Sequence, residues 1–288
     1  MIDFHSHIIP EIDDGSRSIE ETMLLLEEAQ KAGFTKIICT SHYLEEYYEF
    51  DEASRKQFLE MLKIGVNNLK LNVELYLGSE IYTSYDIVDL LKTQRASTIN
   101  NTNYVLIELP MQSELPNLKN VMYTLIGNGY IPIIAHPERY SYVKENPNWL
   151  LDYIELGVLF QANYGSIIGM YGRESQKTVK LLLKHDMIHF LGSDVHRPKT
   201  IYAKMPEILQ ELQKVLERDK LKRLTKINPQ LVLENETIHI QTPTKIKKRI
   251  FEFLIYCKYK RKKIYKKAFG FQSKSICQYS SVGRATDS

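Results

Sequence analysis

Met1-Ile2-Asp3-Phe4-His5-Ser6-His7-Ile8-Ile9-Pro10 opens the chain and decides its fold. The apolar flanks and the closing proline are typical of a β-strand, in which alternate side chains share a face. That period places Asp3, His5 and His7 on one face, with Ile2 and Phe4 on the other. Neutral imidazole is the commonest metal ligand in proteins, and two histidines spaced in this way can share one ion. The alternative is a pair of half-buried strand histidines that bond to the backbone.

The strand pattern returns six more times along the chain, with helical patterns in between. The seven apolar runs end at or beside His7, His42, Glu80, Glu108, His136, Asn163 and Asp194. Near-continuous apolar runs separated by helices predict a parallel sheet that is covered by helices. The predicted fold class is therefore α/β, and a chain of 288 residues can bury one large core.

Six of the seven predicted strands end in a histidine, an aspartate or a glutamate. In a (β/α) barrel the carboxyl ends of the strands converge on one mouth, where active sites are built. An open doubly wound sheet is the alternative, but it would spread these side chains along a line. The pattern therefore favours a TIM-like barrel of seven strands.

The barrel would gather nine metal-ligating side chains at its mouth: His5, His7, Asp14, His42, Glu80, Glu108, His136, Asp194 and His196. Nine ligands exceed one tetrahedral zinc site and suit two or three ions with bridging carboxylates. Without cations the cluster is implausible, because two carboxylates about 4 Å apart repel by roughly 4 kcal/mol at an effective dielectric near 20. Bound divalent ions lower the pKa of water and suit an anionic substrate such as a phosphate.

Arg139 stands three residues beyond His136, in the motif Ala135-His136-Pro137-Glu138-Arg139. A planar guanidinium matches two oxygens of a phosphate group at once. We therefore predict that Arg139 is a catalytic residue that binds the substrate phosphate. The alternative is a plain salt bridge to Glu138 or Glu145.

The formal net charge of +3 averages two different regions. Residues 244–288 contain 13 Lys and Arg against 2 acidic residues, for a charge of +11, whereas the remainder carries −8. The acidic body argues against a nucleic-acid partner. The composition predicts a catalytic domain over 1–243 and a basic tail over 244–288. The tail is either an amphipathic helix on an anionic membrane surface or a solvated helix that frays into disorder.

The three cysteines, Cys39, Cys257 and Cys277, are an odd and scattered set that makes no disulfide framework. The chain also begins without an export signal and has no apolar run of membrane-spanning length. These features predict a cytoplasmic protein, which the tail could hold at the inner face of the membrane. Cysteine-dependent phosphatases need an arginine six positions after the thiolate, and none of the three cysteines has one.

The ordered motifs resemble those of the polymerase and histidinol phosphatase (PHP) superfamily. They are Asp3-Phe4-His5-Ser6-His7, His42 after a strand, Gly78-Ser79-Glu80, Glu108, Ala135-His136-Pro137-Glu138-Arg139 and Gly192-Ser193-Asp194-Val195-His196. Within that superfamily the chain is similar, over about residues 1–240, to the manganese-dependent protein tyrosine phosphatases of bacterial capsule and exopolysaccharide operons. Each motif alone is weak, whereas the ordered set at strand ends is specific.

The resemblance implies the PHP fold, a distorted seven-stranded barrel, with three Mn²⁺ ions, although the same ligands accept iron or zinc. It implies one ion on His5, His7, Glu80 and Asp194, a second on Asp14, His42 and His196, and a third on Glu80, Glu108 and His136. The implied substrate is phosphotyrosine on the cognate bacterial tyrosine kinase that regulates polysaccharide synthesis.

One position departs from the family pattern. Relatives carry a second arginine about five residues after the last histidine, where this chain has Ile201. Arg197 and Lys199 are the nearby cations that could contact the substrate phosphate instead.

Three other functions are open at this stage. A small-molecule phosphatase of the histidinol-phosphatase type would use the same superfamily motifs. An amidohydrolase also begins with His-x-His, but it normally has a carboxylated lysine where this chain has Glu80 or Glu108. A binding module with a dead site would have lost ligands, whereas all nine are present.

Overall fold

The structure, a computed structural model, describes residues 1–247. The chain divides into two compact units, Met1–Lys245 and Ile246–Ser288. The predicted boundary after residue 243 and the predicted tail helix stay predictions, because the tail from residue 248 onward lies outside the described residues. No helix among residues 1–247 combines the length and the apolar character needed to cross a membrane.

Short strands alternate with helices along residues 1–247. The strands are β1 (Ile2–Ser6), β2 (Lys36–Cys39), β3 (His42–Tyr43), β4 (Glu74–Leu77), β5 (Glu80–Tyr82), β6 (Tyr104–Glu108), β7 (Ile131–Ala135), β8 (Leu159–Asn163) and β9 (Phe190–Gly192). The α-helices are α1 (Ile19–Lys31), α2 (Glu52–Asn68), α3 (Ile87–Lys92), α4 (Leu118–Gly127), α5 (Ser141–Glu145), α6 (Trp149–Ile154), α7 (Tyr164–Ile167), α8 (Arg173–Lys184), α9 (Met205–Gln213), α10 (Arg218–Lys222) and α11 (Asn228–Leu233). This alternation confirms the predicted α/β class.

All neighbouring strands pair in parallel, in the orders β1-β2-β4 and β3-β5-β6-β7-β8-β9. The predicted count of seven strands is not confirmed: residues 1–247 contain nine short strands, because two of the seven apolar runs are each divided into two. The second run breaks between β2 and β3, and the third breaks between β4 and β5 at Gly78 and Ser79. A Cβ atom at Gly78 would lie 2.8 Å from Ile99 and 3.2 Å from Thr40, so the chain turns there through a space that only glycine fits.

The first and last strands of the curled sheet meet. Ser6 forms a parallel bridge with Val195, which lies three residues beyond the end of β9. The amide of Asp194 donates to the carbonyl of His5 at 2.8 Å, and the amide of His7 donates to the carbonyl of Val195 at 3.0 Å. This closure brings β1 beside β9, as in the predicted barrel, whereas an open sheet would leave these strands at opposite edges.

Asp3 strengthens the closure through its carboxylate, which also accepts a weak hydrogen bond from the backbone amide of His5 at 3.5 Å. Its oxygens accept hydrogen bonds from the amide of Ser193 at 2.7 Å and from the hydroxyl of Tyr202 at 2.7 Å. The side chain is fully buried, and burial raises the pKa of its carboxyl.

An apolar core fills the interior behind the mouth. The rings of Phe4 and Phe190 stack with their centroids 4.2 Å apart and their planes 11° apart. The other core side chains include Ile2, Ile38, Leu106, Ile133 and Leu159. Burial of each such side chain contributes about 1.5–3 kcal/mol relative to exposure. The core therefore supplies a stable base for the polar groups at the strand ends.

Candidate metal centre

His5, on β1, and His7, the residue after the end of β1, face each other through their Nε2 atoms, which lie 3.0 Å apart. Both side chains are fully buried. The opposite ring nitrogens are held by oxygens: His5 Nδ1 lies 2.8 Å from Gln161 Oε1, and His7 Nδ1 lies 2.8 Å from Asp13 Oδ2. A proton on each Nδ1 leaves both Nε2 lone pairs free for a cation. Two nitrogen ligands about 2.1 Å from one ion lie about 3 Å apart, so the pair fits a shared metal.

Glu80 stands at the centre of the cluster. Its Oε2 atom lies 3.1 Å from His5 Nε2 and 3.2 Å from His7 Nε2, and 3.1 Å from His42 Nδ1. Its Oε1 atom lies 2.9 Å from His136 Nε2. Glu80 occupies this place because β5 begins at that residue, directly opposite His42 on β3.

The Oε2 atom of Glu80 accepts no hydrogen bond within the described part of the chain, although three imidazole nitrogens surround it. Burial acts to raise the pKa of this carboxyl, but the charges of His5 and His42 and a hydrogen bond from His136 lower it well below its usual range. A carboxylate that several imidazoles approach without an aligned hydrogen bond suits a cation held between them. The residues present therefore fit metal binding.

The remaining predicted ligands join the same cluster. Glu108 reaches His136 Nε2 at 3.6 Å and His42 Nδ1 at 3.8 Å. Asp14, at the exposed rim, reaches His196 Nε2 at 3.3 Å and His42 Nε2 at 3.6 Å. Burial and the nearby charge of Glu80 raise the pKa of Glu108 to about 8, whereas the hydrogen bond to His196 lowers the pKa of Asp14 to about 2. The strand ends thus bring the nine predicted side chains together, and their assignment as metal ligands stays a prediction.

Three groups within this cluster have ligand atoms close enough to share an ion, all within 4.8 Å of one another. They are His7 with Asp14, His42 and His196; His5 with His7 and Glu80; and His42 with Glu80 and Glu108. His7, His42 and Glu80 each belong to two groups, which is the arrangement expected of adjacent ion sites. The three implied ligand sets remain predictions.

The two carboxylate oxygens of Asp194 contact different groups. Its Oδ1 atom lies 3.4 Å from His7 Nε2 and 3.8 Å from His5 Nε2. Its Oδ2 atom accepts hydrogen bonds from Arg139 Nη1 at 2.8 Å and from Asn163 Nδ2 at 2.6 Å. Burial acts to raise the pKa of Asp194, but the hydrogen bond from His7 and the charge of His5 hold it far below its usual value. Arg139 and Asn163 therefore hold Oδ2 in place, while Oδ1 faces the histidines of the cluster.

Arg139 lies at the edge of the cluster, where its guanidinium pairs with Asp194 and lies over the ring of Tyr171. The alternative salt bridge to Glu138 is not formed. The buried Glu138 carboxylate instead accepts from the Asn163 amide at 2.9 Å and from the Ser166 hydroxyl at 2.5 Å.

The two other predicted phosphate contacts lie on the segment after His196. The Arg197 guanidinium donates to the carbonyl oxygens of Gly15 and His196, so it ties the loop of Asp14 to the last ligand. The backbone amide of Lys199 donates to the Glu28 carboxylate at 2.9 Å. A phosphate-binding role for either residue stays a prediction.

Two of the predicted ligands have a left-handed backbone that side-chain-bearing residues rarely adopt. His136 has a φ of 32° and Asp194 a φ of 53°. Such strain costs about 1–3 kcal/mol per residue and persists where surrounding structure enforces it. Here it turns both side chains into the cluster at the ends of β7 and β9.

Sequence reasoning missed three side chains that hold the ligands in place: Asp13, Gln161 and Asn163. Asp13 bonds His7 and also accepts from the amide of His42 at 2.9 Å. Asp13 and Asp14 are adjacent in the same turn, so the sequence does not indicate which of them would bond the His7 ring and which would face a metal. Gln161 and Asn163 end β8 with period-two spacing, which was the available signal that both point into the mouth.

Residues that were left out of the predicted site lie elsewhere. His185 is bonded to Thr244, and the buried His189 accepts a hydrogen bond from the amide of Phe160 at 3.0 Å through its Nδ1 atom. Cys39 is fully buried, and burial raises the pKa of its thiol far above the usual value. A buried, protonated thiol is no nucleophile, which agrees with the exclusion of cysteine chemistry for this residue.

Comparisons with known proteins show which family the chain belongs to. The family model described as "Capsular polysaccharide synthesis, CpsB/CapC" matches residues 1–234. The putative tyrosine-protein phosphatase CapC of Staphylococcus aureus is 35% identical over 245 residues, which are 85% of this chain and 95% of that protein. The tyrosine-protein phosphatase YwqE of Bacillus subtilis (strain 168) is 31% identical over 249 residues, covering 86% and 98%.

A solved structure extends the likeness to three dimensions. It comes from work on YwqE from Bacillus subtilis and CpsB from Streptococcus pneumoniae, described as unique metal-dependent tyrosine phosphatases. It superimposes with a TM-score of 0.80 at 30% identity and covers 86% of this chain and 100% of the other. A match across nearly the whole described unit, in sequence and in fold, leads to one conclusion: the chain belongs to the CpsB/CapC family of capsular polysaccharide synthesis.

Proposed function

We propose that the chain is a metal-dependent protein tyrosine phosphatase, which hydrolyses phosphotyrosine to tyrosine and phosphate. The observation that carries the proposal is the continuous cluster of nine ligands around Glu80, with Arg139 at its edge. Relatives that cover 85% and 86% of the chain are named as tyrosine-protein phosphatases.

We further propose three divalent ions, Mn²⁺ by preference. The ligand sets are His5, His7, Glu80 and Asp194; Asp14, His42 and His196; and Glu80, Glu108 and His136. Three overlapping groups of ligand atoms support this number. When bound, such ions supply an activated water and polarise the phosphoryl oxygens.

The chain's own residues contribute orientation and charge. Asp13 and Gln161 fix the tautomers of His7 and His5, so that their Nε2 lone pairs face inward. The guanidinium of Arg139 offers N–H donors beyond the one that Asp194 accepts, and these match the oxygens of a phosphate. Phenol has a pKa near 10, so the leaving group departs without a dedicated acid more readily than an aliphatic alcohol does.

The proposed partner is a phosphotyrosine-containing protein, the cognate bacterial tyrosine kinase of polysaccharide synthesis. The test compares hydrolysis of a tyrosine-phosphorylated peptide with that of histidinol phosphate, using metal-stripped protein re-supplied with Mn²⁺. We expect activity on the peptide that depends on the added metal. A faster rate on histidinol phosphate would favour a small-molecule phosphatase, and undiminished activity of the stripped protein would falsify the metal mechanism.

A cytoplasmic protein held at the inner membrane face by the basic tail is a separate proposal, supported by the charge of +11 over residues 244–288. Sedimentation with phosphatidylglycerol vesicles tests it. We expect the full chain to sediment at low salt and a chain that ends at Pro243 to stay in solution. Equal sedimentation of both chains would contradict a role for the tail.

A further inference from the structure

The aromatic ring of Tyr171 covers one face of the Arg139 guanidinium. The central carbon of the guanidinium, Cζ, lies 4.6 Å from the ring centroid. This distance is well inside the limit of about 6 Å for a favourable cation–π contact. Tyr171 lies in the loop between α7 and α8, beyond the carboxyl end of β8, and its contact with Arg139 places it at the mouth of the barrel.

The loop around Tyr171 is built to hold the ring in place. Gly169 and Gly172 flank it with φ angles of +84° and +93°, and the amide of Gly172 donates to the carbonyl of Gly169 at 3.0 Å. A Cβ atom at Gly165 would lie 3.0 Å from Cε2 of Tyr171, so the ring packs closely against the backbone of α7. The ring is thus fixed by backbone geometry before any substrate binds.

Two contacts hold the Arg139 guanidinium, one at its edge and one across its face. At one edge of its plane, Nη1 donates to Asp194 Oδ2 at 2.8 Å. Across one face, the Tyr171 ring covers the guanidinium. The guanidinium has five N–H donors in a fixed fork, so donors remain for a phosphate group after the bond to Asp194 is made.

We propose that Tyr171 is a positioning residue, which stacks on Arg139 and aims its free N–H donors at the substrate phosphate. The inference rests on the proposed phosphatase function and adds a determinant of phosphate affinity to it. A long arginine side chain has many rotamers, and a site that orders it beforehand lowers the entropic cost of binding. The flat ring is the part that contacts Arg139, whereas the Tyr171 hydroxyl forms a hydrogen bond with the Asn163 side chain.

The experiment uses the full chain loaded with Mn²⁺ and compares Tyr171→Leu with Tyr171→Phe. We measure kcat and KM on a phosphotyrosine peptide and the inhibition constant of inorganic phosphate. For Tyr171→Leu we expect KM and the inhibition constant to rise about tenfold, the typical worth of a partly buried cation–π contact, with kcat changed less than about threefold. Tyr171→Phe keeps the ring and is expected to restore phosphate affinity to within about twofold of the wild type.

A double-mutant cycle separates positioning from simple packing. If Tyr171 acts through Arg139, then Tyr171→Leu raises neither constant further in an Arg139→Ala background. Tyr123→Leu is the matched control, because Tyr123 is 57% exposed on α4, and we expect wild-type constants from it. If Tyr171→Leu lowers the unfolding midpoint, Tyr171→Met fills the same space without a ring and takes its place.

The outcomes distinguish this inference from the function on which it rests. If the unmodified chain fails to hydrolyse the peptide, both proposals fall. If the chain is active and Tyr171→Leu binds phosphate as the wild type does, only the positioning role is wrong. The positioning role is also wrong if Tyr171→Leu weakens phosphate binding equally in the presence and absence of the Arg139 side chain.

Discussion

The same strands build two opposite environments, the apolar interior and the polar mouth. Along β1, Phe4 packs on Phe190 inside the barrel, while the next residue, His5, faces Glu80 in the cluster. In the interior, the apolar rings are stabilised by close packing against one another. At the mouth, the Oε2 atom of Glu80 and the Nδ1 atom of His136 are buried without a hydrogen-bond partner among the described residues.

The difference separates the residues that stabilise the fold from the residues of the candidate site. Buried apolar rings stabilise the folded chain, whereas unpartnered polar atoms and left-handed ligands such as His136 and Asp194 destabilise it. The fold tolerates this destabilisation because the same strands continue into a well-packed core. Bound cations would also interact with the unpaired lone pairs at the mouth. Variants in the two regions should therefore separate activity from stability.

The largest expected effect comes from His136→Asn, in the polar mouth. Asparagine tolerates the left-handed backbone at this position, so the change removes a ligand with little added strain. We expect kcat on a phosphotyrosine peptide to fall by about 1000-fold or more, while the unfolding free energy of metal-stripped protein changes by less than about 1 kcal/mol. His185→Asn, at an exposed histidine outside the cluster, is the control and should keep its activity. Comparable losses in both variants would contradict the assignment.

The converse change is Phe190→Ala, in the apolar interior. Removing a fully buried ring that stacks on Phe4 should lower the unfolding free energy by about 3–5 kcal/mol, measured by urea denaturation. The specific activity of the folded fraction should be unchanged at low temperature. Ile64→Ala, at a side chain that is 61% exposed on α2, should cost less than about 0.5 kcal/mol. An equal loss of unfolding free energy in the two variants would mean that the interior is not the stabilising region.

Metal removal sharpens the comparison, because it acts on the mouth alone. Ions that bind only the folded state stabilise it by about 3 kcal/mol at a concentration 100 times their dissociation constant. We expect chelation to lower the unfolding free energy by about that amount in the wild type, and by less in Glu80→Gln. Urea unfolding with and without Mn²⁺ measures both values. Identical midpoints for loaded and stripped wild type would show that the cluster holds no ion under these conditions.

The smallest expected effect concerns a buried histidine far from the mouth. Burial lowers the pKa of His189 to about 4 in the folded chain, compared with about 6.5 when unfolded. The unfolded chain therefore binds the proton more tightly, and the stability that the neutral ring contributes above pH 6.5 is lost as the pH falls toward 4. From pH 7 to pH 5, the wild type should lose about 2 kcal/mol more than His189→Gln, whose side-chain oxygen can still accept from the Phe160 amide. Parallel pH profiles for the two proteins would exclude this contribution.

The sequence by itself determined the α/β class, the gathering of the nine ligands and the exclusion of Cys39 as a nucleophile. These conclusions follow from local rules, since strand periodicity sets the face of His5 and His7, and parallel strands bring their carboxyl ends to one edge. The family resemblance, carried by the same residues, was confirmed by the match over residues 1–234.

Only the tertiary structure decided the finer arrangement. In the folded chain two strand runs are divided, one of them at Gly78. Asp13 pairs with His7, and Arg139 contacts Asp194 and Tyr171. None of these contacts could be read along the chain, because each joins side chains whose directions depend on turns, strand breaks and backbone angles set by distant segments. Periodicity tells which residues share a face, whereas the partner of each buried polar atom is chosen by packing in three dimensions.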